Sequence, residues 1–453
     1  MSHSARKIPS RMIYTCLRRV DVSGYEPIVD HPILLRTKER SQLSFAYKEF
    51  PGGRHSRFEH SIFIYHFTNE ETKHLLEKGC IKEQQKKDLD IAAFVHDVGH
   101  GPFSHIIGGL LGYIIDSQKP KTHNDKGVEL LRSGEKDRYR RTMEDVISLC
   151  KGNFEKVVDI VAKKTPEAKI ISHHTVGTDK MGYTLVDDHH TGYLIDKPFF
   201  LDLLPFILYE DDELGVAWAE DTVAQVMRLQ RVIQDMYIDV YLNKDLKQFD
   251  RFMQKAVELE INPSELKSDE RCRAVDRIWD MDEGSLGYVL KNSKKEDVRQ
   301  LMRRYIREEL CETAIEFKIE GRIKKEVAQE EVIRETVSKE FSDDLINKYT
   351  NPMNLTRLER KLCDTFSISN TDLFVGLSAD PKRIMPEDVV LFTPAGDKIG
   401  TLYALNPDHR SGLVERAEKF FALRIYVDKK YKDLMMSQPD PIIEIVEDDV
   451  KQK

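Results

Sequence analysis

The sequence predicts a mainly α fold with a small α/β lobe near the C-terminus. Two observations carry this. Apolar residues recur at three- and four-residue spacing over long stretches, most fully between 222 and 258, where Val223, Val226, Leu229, Val232, Ile233, Met236, Tyr237, Val240 and Tyr241 follow one another. Strand-like runs are confined to the C-terminal part, at Asp388 to Thr393 and Phe421 to Val427. With 453 residues, 40% of them hydrophobic, the chain has enough apolar material for a large core.

The elements follow in order. Residues 1–50 are mixed, with a turn at Ser23-Gly24, and Pro51-Gly52-Gly53 breaks the chain. Helical spacing runs from Ser61 to Phe67 and from Lys86 to Asp97, where Ile91, Ala92, Phe94 and Val95 form a buried face. Gly99, Gly101 and Pro102 stop that helix. Another follows His123, through Gly127 to Arg132, and more run through 143–163. The charge-dense stretch 294–347 reads as solvent-facing amphipathic helices. Pro394-Ala395-Gly396 is a turn, and the acidic last dozen residues read as a frayed tail. The expected organisation is an N-terminal segment 1–50 contributing to a pocket, a core over 51–260, a helical extension over 261–350, and an α/β lobe with its tail over 351–453.

Composition removes several classes of function. A net charge of −8 argues against a dedicated non-specific nucleic-acid binder. The basic clusters Arg138, Arg140, Arg141 and Arg303, Arg304, Arg307 read as solvated helix surface. No run of about 18 apolar residues is present, so no membrane span is expected. The basic N-terminus lacks an apolar signal core, and a cytoplasmic location is expected. Cysteines 16, 80, 150, 272, 311 and 363 form no CxxC pair and read as reduced thiols.

The chemistry is concentrated in FVHDVGHGPFSH, residues 94–105. Near a helix end, the adjacent His96 and Asp97 can turn towards one ion, and imidazole with carboxylate suits Fe, Mn, Zn or Mg. His60 lies upstream in RFEHS, and His100 and His105 follow in the same glycine-broken loop. Seven of the fifteen histidines fall between 60 and 123, which marks that stretch as the candidate site. A loop rich in small residues needs a metal or substrate to order it, so His60, His96, Asp97, His100 and His105 read as functional. His55, His66, His74, His173 and His174 read as ordinary core or surface residues.

HDVGHGPFSH, with FPGGRHSRFEHS before it and DKMGYTLVDDHHTG after it, resembles the HD-domain deoxynucleoside triphosphate triphosphohydrolases. That family includes bacterial dGTPases and a vertebrate enzyme with an added SAM domain, which is not expected in this chain. The resemblance implies a helical HD core and one divalent ion (Mn, Fe, Mg or Zn) held by His60, His96, Asp97 and Asp179. It implies that Gln42 and Leu43 meet the deoxyribose, with Tyr183 and Asp187 also on the sugar. Arg57 and Lys180 would meet phosphate, His100, His105 and His123 would be pocket histidines, and Tyr241 and Lys244 would come from a further pocket helix. A homo-oligomer, dimer or tetramer, is also implied.

The expected reaction is hydrolysis to deoxynucleoside and triphosphate. A metal ion would activate water and polarise the phosphoryl oxygen. Arg57 and Lys180 would neutralise developing charge, and His123 or His105, at an unperturbed pKa of about 6.5, would protonate the leaving oxygen.

The sequence departs from the family pattern at Gly182 and Val186, where the family has Asp and Arg. Gly108 replaces an Asp, Ile233 a phosphate-tail Arg, and Tyr237 and Asn243 two histidines. At the family's activator position Asp30 is kept, but Leu35 and Lys38 stand at the other two places. Two further readings stay open. One is an HD phosphodiesterase, nuclease or nucleotidase acting on oligonucleotides, cyclic nucleotides or monophosphates. The other is a non-catalytic nucleotide-binding protein.

Overall fold

Ser56 starts the helix that carries the first histidine. Its backbone is extended, and its side chain accepts a hydrogen bond from the Glu59 amide, satisfying one of the free donors at the start of Arg57–Glu77. In this computed structural model, which describes residues 11–193, 198–319, 332–378 and 380–452, that helix is the axis of the core. Glu83–Val95 packs along one side of it, with Tyr65 stacked on Phe94 at 4.0 Å between ring centroids. Thr178–Thr191 packs on another side, where the Thr68 and Thr178 hydroxyls share a hydrogen bond of 2.7 Å. A Cβ at Gly182 would stand 2.3 Å from Ile64 Cδ1, so the Ile64 side chain packs into the space that glycine leaves.

The 222–258 pattern is helical but interrupted. Glu220–Met236 ends in a wider turn over Tyr237–Tyr241, and Lys244–Ile261 follows, capped by the Asn243 side chain. Such wide turns are frequent at functional sites because they turn side chains off the regular helix face. Here the turn brings Tyr237 and Tyr241 to one wall of a cavity.

Two four-stranded sheets lie outside the helical core. One joins Ile207–Glu210, Glu213–Ala217, Val390–Phe392 and Lys398–Thr401 in that order. Its central contact is parallel, with Gly215 opposite Val390, and a Cβ at Gly215 would fall 2.2 Å from the Val390 carbonyl oxygen. The other runs Ile333–Val337, Glu312–Ile319, Leu423–Val427, Leu373–Leu377. Lys339–Tyr349, Pro352–Phe366 and Pro439–Lys451 share its apolar cluster. A mainly α core with a small C-terminal α/β lobe is therefore the fold, as the sequence predicts.

Two expectations are corrected, and one element escaped the sequence analysis. Of the stretch 294–347, residues 320–331 lie outside the described residues, and the rest is not a set of surface helices. It holds Glu296–Arg307 and Lys339–Tyr349, but Glu312–Ile319 between them is an interior strand, with Ala314, Ile315 and Phe317 fully buried. Its charges looked like a solvated helix face because they have cross-strand partners: Glu316 pairs with Arg424 at 2.8 Å and Arg334 at 3.2 Å. The acidic tail is not frayed either. Pro439–Lys451 is a helix whose Ile442 and Val446 enter the core, and its Asp449 accepts a hydrogen bond from Tyr349 at 2.9 Å. The hairpin Ile207–Glu210 with Glu213–Ala217 was not read, since Asp211 and Asp212 turn it without glycine, both at positive φ.

Two fully buried glutamates have opposite surroundings. Glu359 is fully buried and meets Arg251 and Lys255, each at 2.9 Å, tying Lys244–Ile261 to Pro352–Phe366. Glu71 is equally buried, and neither carboxyl oxygen has a hydrogen-bond partner among the described residues. Burial pushes its pKa well above the carboxylate range, against a smaller opposing pull from Lys78. Because the folded pKa is raised, the unfolded chain releases this proton first, and stability is lost as pH rises above the unfolded value of about 4.3. Replacing Glu71 by Gln removes that term. In urea unfolding between pH 5 and 8, the wild type should lose stability relative to Glu71→Gln by up to about 1.4 kcal/mol per pH unit until the folded carboxyl titrates. Parallel curves would show that Glu71 is ionised in the folded state.

Candidate metal centre

Three helices bring four ligand side chains together. His60 projects from the first turn of Arg57–Glu77, His96 and Asp97 follow the end of Glu83–Val95, and Asp179 lies in the first turn of Thr178–Thr191. The Nε2 atoms of His60 and His96 stand 3.2 Å apart. Asp179 Oδ1 lies 3.2 Å from His60 Nε2 and 3.4 Å from His96 Nε2. Asp97 places Oδ2 3.4 Å from His60 and Oδ1 3.6 Å from His96. Ligands on a tetrahedral ion at about 2.0–2.2 Å are separated by roughly 3.3–3.6 Å, and His60, His96 and Asp97 stand close enough together that they could hold one ion, with Asp179 beside both histidines. His96 Nδ1 donates to the Ala93 carbonyl at 2.8 Å, which leaves the Nε2 lone pair directed at the centre.

Electrostatics point the same way. Burial would raise both carboxyl pKa values. Asp97 is nevertheless held well below the usual range by Arg57 and His96, and Asp179 by His60 and His96. Burial would lower His96, but Asp97 and Asp179 outweigh it and hold the imidazole at about 9. Carboxylates that hold a proton on imidazole this tightly would also favour a bound cation.

The loop after Asp97 is locked from outside. Arg36 donates to the carbonyls of Val98 at 2.6 Å and His100 at 3.0 Å, and Trp279 Nε1 donates to the Gly99 carbonyl at 2.7 Å. Beyond the four ligands, His100 and His123 stack at 4.1 Å, and His105 meets both edge-on at 4.5 and 5.0 Å. Burial pushes all three below the usual histidine value, His123 to about 4. His105 is exposed only towards the cavity, which reconciles its accessible surface with its low proton affinity. The unperturbed value of 6.5 therefore does not apply to these imidazoles, which are neutral at pH 7.

The centre opens into a cavity of about 1480 Å³. Gln42, Leu43, Arg57, Asp97, His105, His123, Asp179, Lys180, Tyr183, Asp187 and Tyr241 line it, whereas His60, His96 and His100 are not among its lining residues. Gln42 Oε1 is buried without a hydrogen-bond partner among the described residues. Arg57 is buried, pairs with Asp97 and donates from Nε to Ser104 at 2.7 Å. Lys180 donates to the Tyr183 hydroxyl and, at 3.2 Å, to Tyr237. Asp187 accepts from Tyr241 at 2.7 Å and meets His55 Nε2 at 2.9 Å. His55, read as an ordinary residue, thus orients a cavity carboxylate. Lys244 is exposed at the start of its helix and does not line the cavity; Lys247, one turn on, does. The sequence reading also missed the wall contributed by Lys163, His174, Arg251, Lys382, Arg383 and Arg410, since none of these lies near a motif.

The HD domain family matches residues 57–174, the stretch that holds three of the four ligands. Deoxynucleoside triphosphate triphosphohydrolase SAMHD1 of Homo sapiens is 30% identical over 190 residues, covering 36% of this chain and 30% of that protein. The bovine form is 38% identical over 104 residues, 22% of this chain and 18% of its own. An uncharacterized protein of Methanocaldococcus jannaschii is 24% identical over 284 residues, covering 61% of this chain and 54% of its own. The matched segments thus span about half, or less, of these relatives. The crystal structure of a phosphohydrolase from Bacteroides thetaiotaomicron superimposes with a TM-score of 0.65 at 15% identity, covering 92% of this chain and all of that one, which shows a shared fold. The chain carries an HD domain, and the resemblance to the HD-domain triphosphohydrolases holds over that region.

Asp179 gives the cleanest test of the centre, because 30% of its side chain is exposed and it has no buried arginine to satisfy. Asp179→Asn should lower bound divalent metal, measured by mass spectrometry after gel filtration, by tenfold or more. Its metal-free unfolding midpoint should stay within about 1 kcal/mol of wild type. Full metal occupancy in the variant would remove Asp179 from the ligand set.

Proposed function

We propose that this protein is a metal-dependent phosphohydrolase that cleaves deoxynucleoside triphosphates into deoxynucleoside and triphosphate. The observation that carries the reading is the convergence on one cavity wall of Gln42, Leu43, Tyr183, Asp187 and Tyr241 beside the His60, His96, Asp97, Asp179 centre. Gln42 offers an unpaired amide oxygen to a sugar hydroxyl, and Leu43 presents an apolar surface that disfavours a second hydroxyl. Tyr241 and His55 fix the Asp187 carboxylate as an acceptor.

A bound divalent ion supplies an activated water and a polarised phosphoryl oxygen. Water oxygen bonds to the α-phosphorus, the bond from phosphorus to the 5′ oxygen breaks, and that oxygen takes a proton. Arg57 and Lys180 lie on the cavity wall as cations for the phosphoryl oxygens. Burial lowers the proton affinity of His105 and His123, and a phosphate anion beside them would oppose that effect and favour the protonated imidazole that donates to the leaving oxygen. A dGTP preference, a dimeric or tetrameric assembly and a cytoplasmic site of action belong to the same reading. No helix among the described residues is long and apolar enough to cross a membrane.

A second reading, phosphodiester cleavage in short oligonucleotides, draws on two observations. The cavity of about 1480 Å³ exceeds the ~300–1000 Å³ usual for one small ligand. The family's phosphate-tail arginine is Ile233 here, buried at 2% exposure. Incubation with each dNTP, each NTP and single-stranded oligonucleotides in Mn²⁺, with identification of products, separates the two. Triphosphate plus deoxynucleoside is expected, with ribonucleotides at least tenfold poorer. Gln42→Ala should lower kcat/KM for dNTPs about ten- to a hundredfold. Release of mononucleotides from oligonucleotides without dNTP turnover would replace the proposal by the second reading.

A further inference from the structure

The cavity has a second wall that the catalytic reading leaves unused. Pro381–Ile384 carries Lys382 and Arg383, and Pro407–Phe420 carries Arg410. All three side chains are exposed and line the same cavity as Asp97 and Asp179. Lys163, from the HD segment, lines it too.

The acids of this wall are engaged within the protein. Glu387 accepts from the His174 amide at 2.9 Å, and Asp388 from the amides of Val389 and Tyr403, both at 2.9 Å. Asp380 accepts from the Lys382 amide at 2.8 Å, and Asp250 pairs with Lys247 at 2.8 Å. Arg251 is held by Glu359. Lys382, Arg383, Arg410 and Lys163, by contrast, make no ion pair among the described residues. Four cations without an ion-pair partner among the described residues line one cavity, and the nearby carboxylates are already engaged by backbone amides or Lys247, so the wall is placed to attract a polyanion. They also lie near the catalytic histidines. Besides burial and His123, the Arg383 charge helps to depress His105, and Lys163 acts on His123 in the same sense.

We infer that Lys382, Arg383 and Arg410 of the C-terminal segment, with Lys163, form an anion subsite that takes the polyphosphate tail of the substrate. The inference rests on the triphosphohydrolase reading for the substrate's identity, but the subsite itself is defined by its cations. It explains how the chain manages without the arginine that Ile233 replaces: the tail is gripped from the C-terminal lobe instead of from the Glu220–Met236 helix. The cations hold the product triphosphate as well as the substrate, so inorganic triphosphate is a sufficient probe.

The test is calorimetric titration of the full-length, metal-loaded protein with inorganic triphosphate, alongside steady-state kinetics with dNTPs. The variants are Lys382→Ala with Arg383→Ala, and Arg383→Lys, each checked for wild-type metal content and unfolding midpoint. The double variant should bind triphosphate roughly tenfold or more weakly, as expected for lost charge-assisted contacts, with a matching rise in KM for dNTPs. Arg383→Lys should recover most of the affinity. Absence of binding in the wild type, or affinity and KM within twofold of wild type in the double variant, overturns the subsite. Triphosphate binding that depends on Lys382 and Arg383, in a protein that releases no triphosphate from dNTPs, would keep the subsite and reject the proposed reaction.

Discussion

The site depends on one buried ion pair. Arg57 is the first residue of its helix and Asp97 lies just beyond the end of another, and their contact joins the two ends inside the protein. Arg57 is 2% exposed, so removing Asp97 would strand a buried cation, a loss of about 3–5 kcal/mol. The same pair sets the chemistry. His60 follows Arg57 by less than one helical turn and His96 precedes Asp97, so the ion pair also fixes where the two imidazoles meet. Asp97 is shared between Arg57 and the ligand set, which keeps it ionised against burial. A single constraint thus places two helices, orders the loop that follows, and charges the centre.

Close backbone approaches do the rest of the positioning. A Cβ at Gly99 would lie 1.9 Å from the His123 carbonyl oxygen. The loop can therefore rest on the start of His123–Leu131, which is what stacks His100 on His123. Gly182 and Val186 occupy places where the resembled family has an acid and a base. Here Gly182 admits Ile64 and Val186 is fully buried, so these two positions serve apolar packing.

How legible this was in the sequence follows from the physics of each part. The His-Asp motif, with its glycine-broken loop, carries its own signal, because small residues beside ligand-type side chains have little other use. Regular helices were legible from spacing, and Val390–Phe392 and Leu423–Val427 from their continuous apolar character. Glu312–Ile319 was not, because Glu316 and Lys318 look solvated until Arg424 and Arg334 are known to stand across from them. Nor could spacing show that His55 reaches Asp187, 132 residues away, or that Lys382 and Arg383 line the same cavity as His105. Contacts of that kind depend on strand order and segment docking, which no local pattern encodes.

The docking itself is what turns a set of surface cations into part of the site. Residues 380–388 follow the strand Leu373–Leu377 and precede Val390–Phe392, which adds in parallel to Glu213–Ala217 beside the helical core. Between them the Glu387 carbonyl accepts from Thr175 at 2.6 Å and from Gln230 at 3.0 Å, while its carboxylate takes the His174 amide. His409 is held by Gln230 at 2.8 Å, next to Arg410. Each cation-bearing segment is thus fixed to the elements that carry Asp179 and the pocket tyrosines. Such prior fixing matters energetically, since a cationic wall already in place spares the ordering cost that a mobile one would incur at each binding event. The C-terminal lobe is therefore joined to the centre by hydrogen bonds that an added domain resting on its surface would not need, and its role in the cavity follows from that attachment.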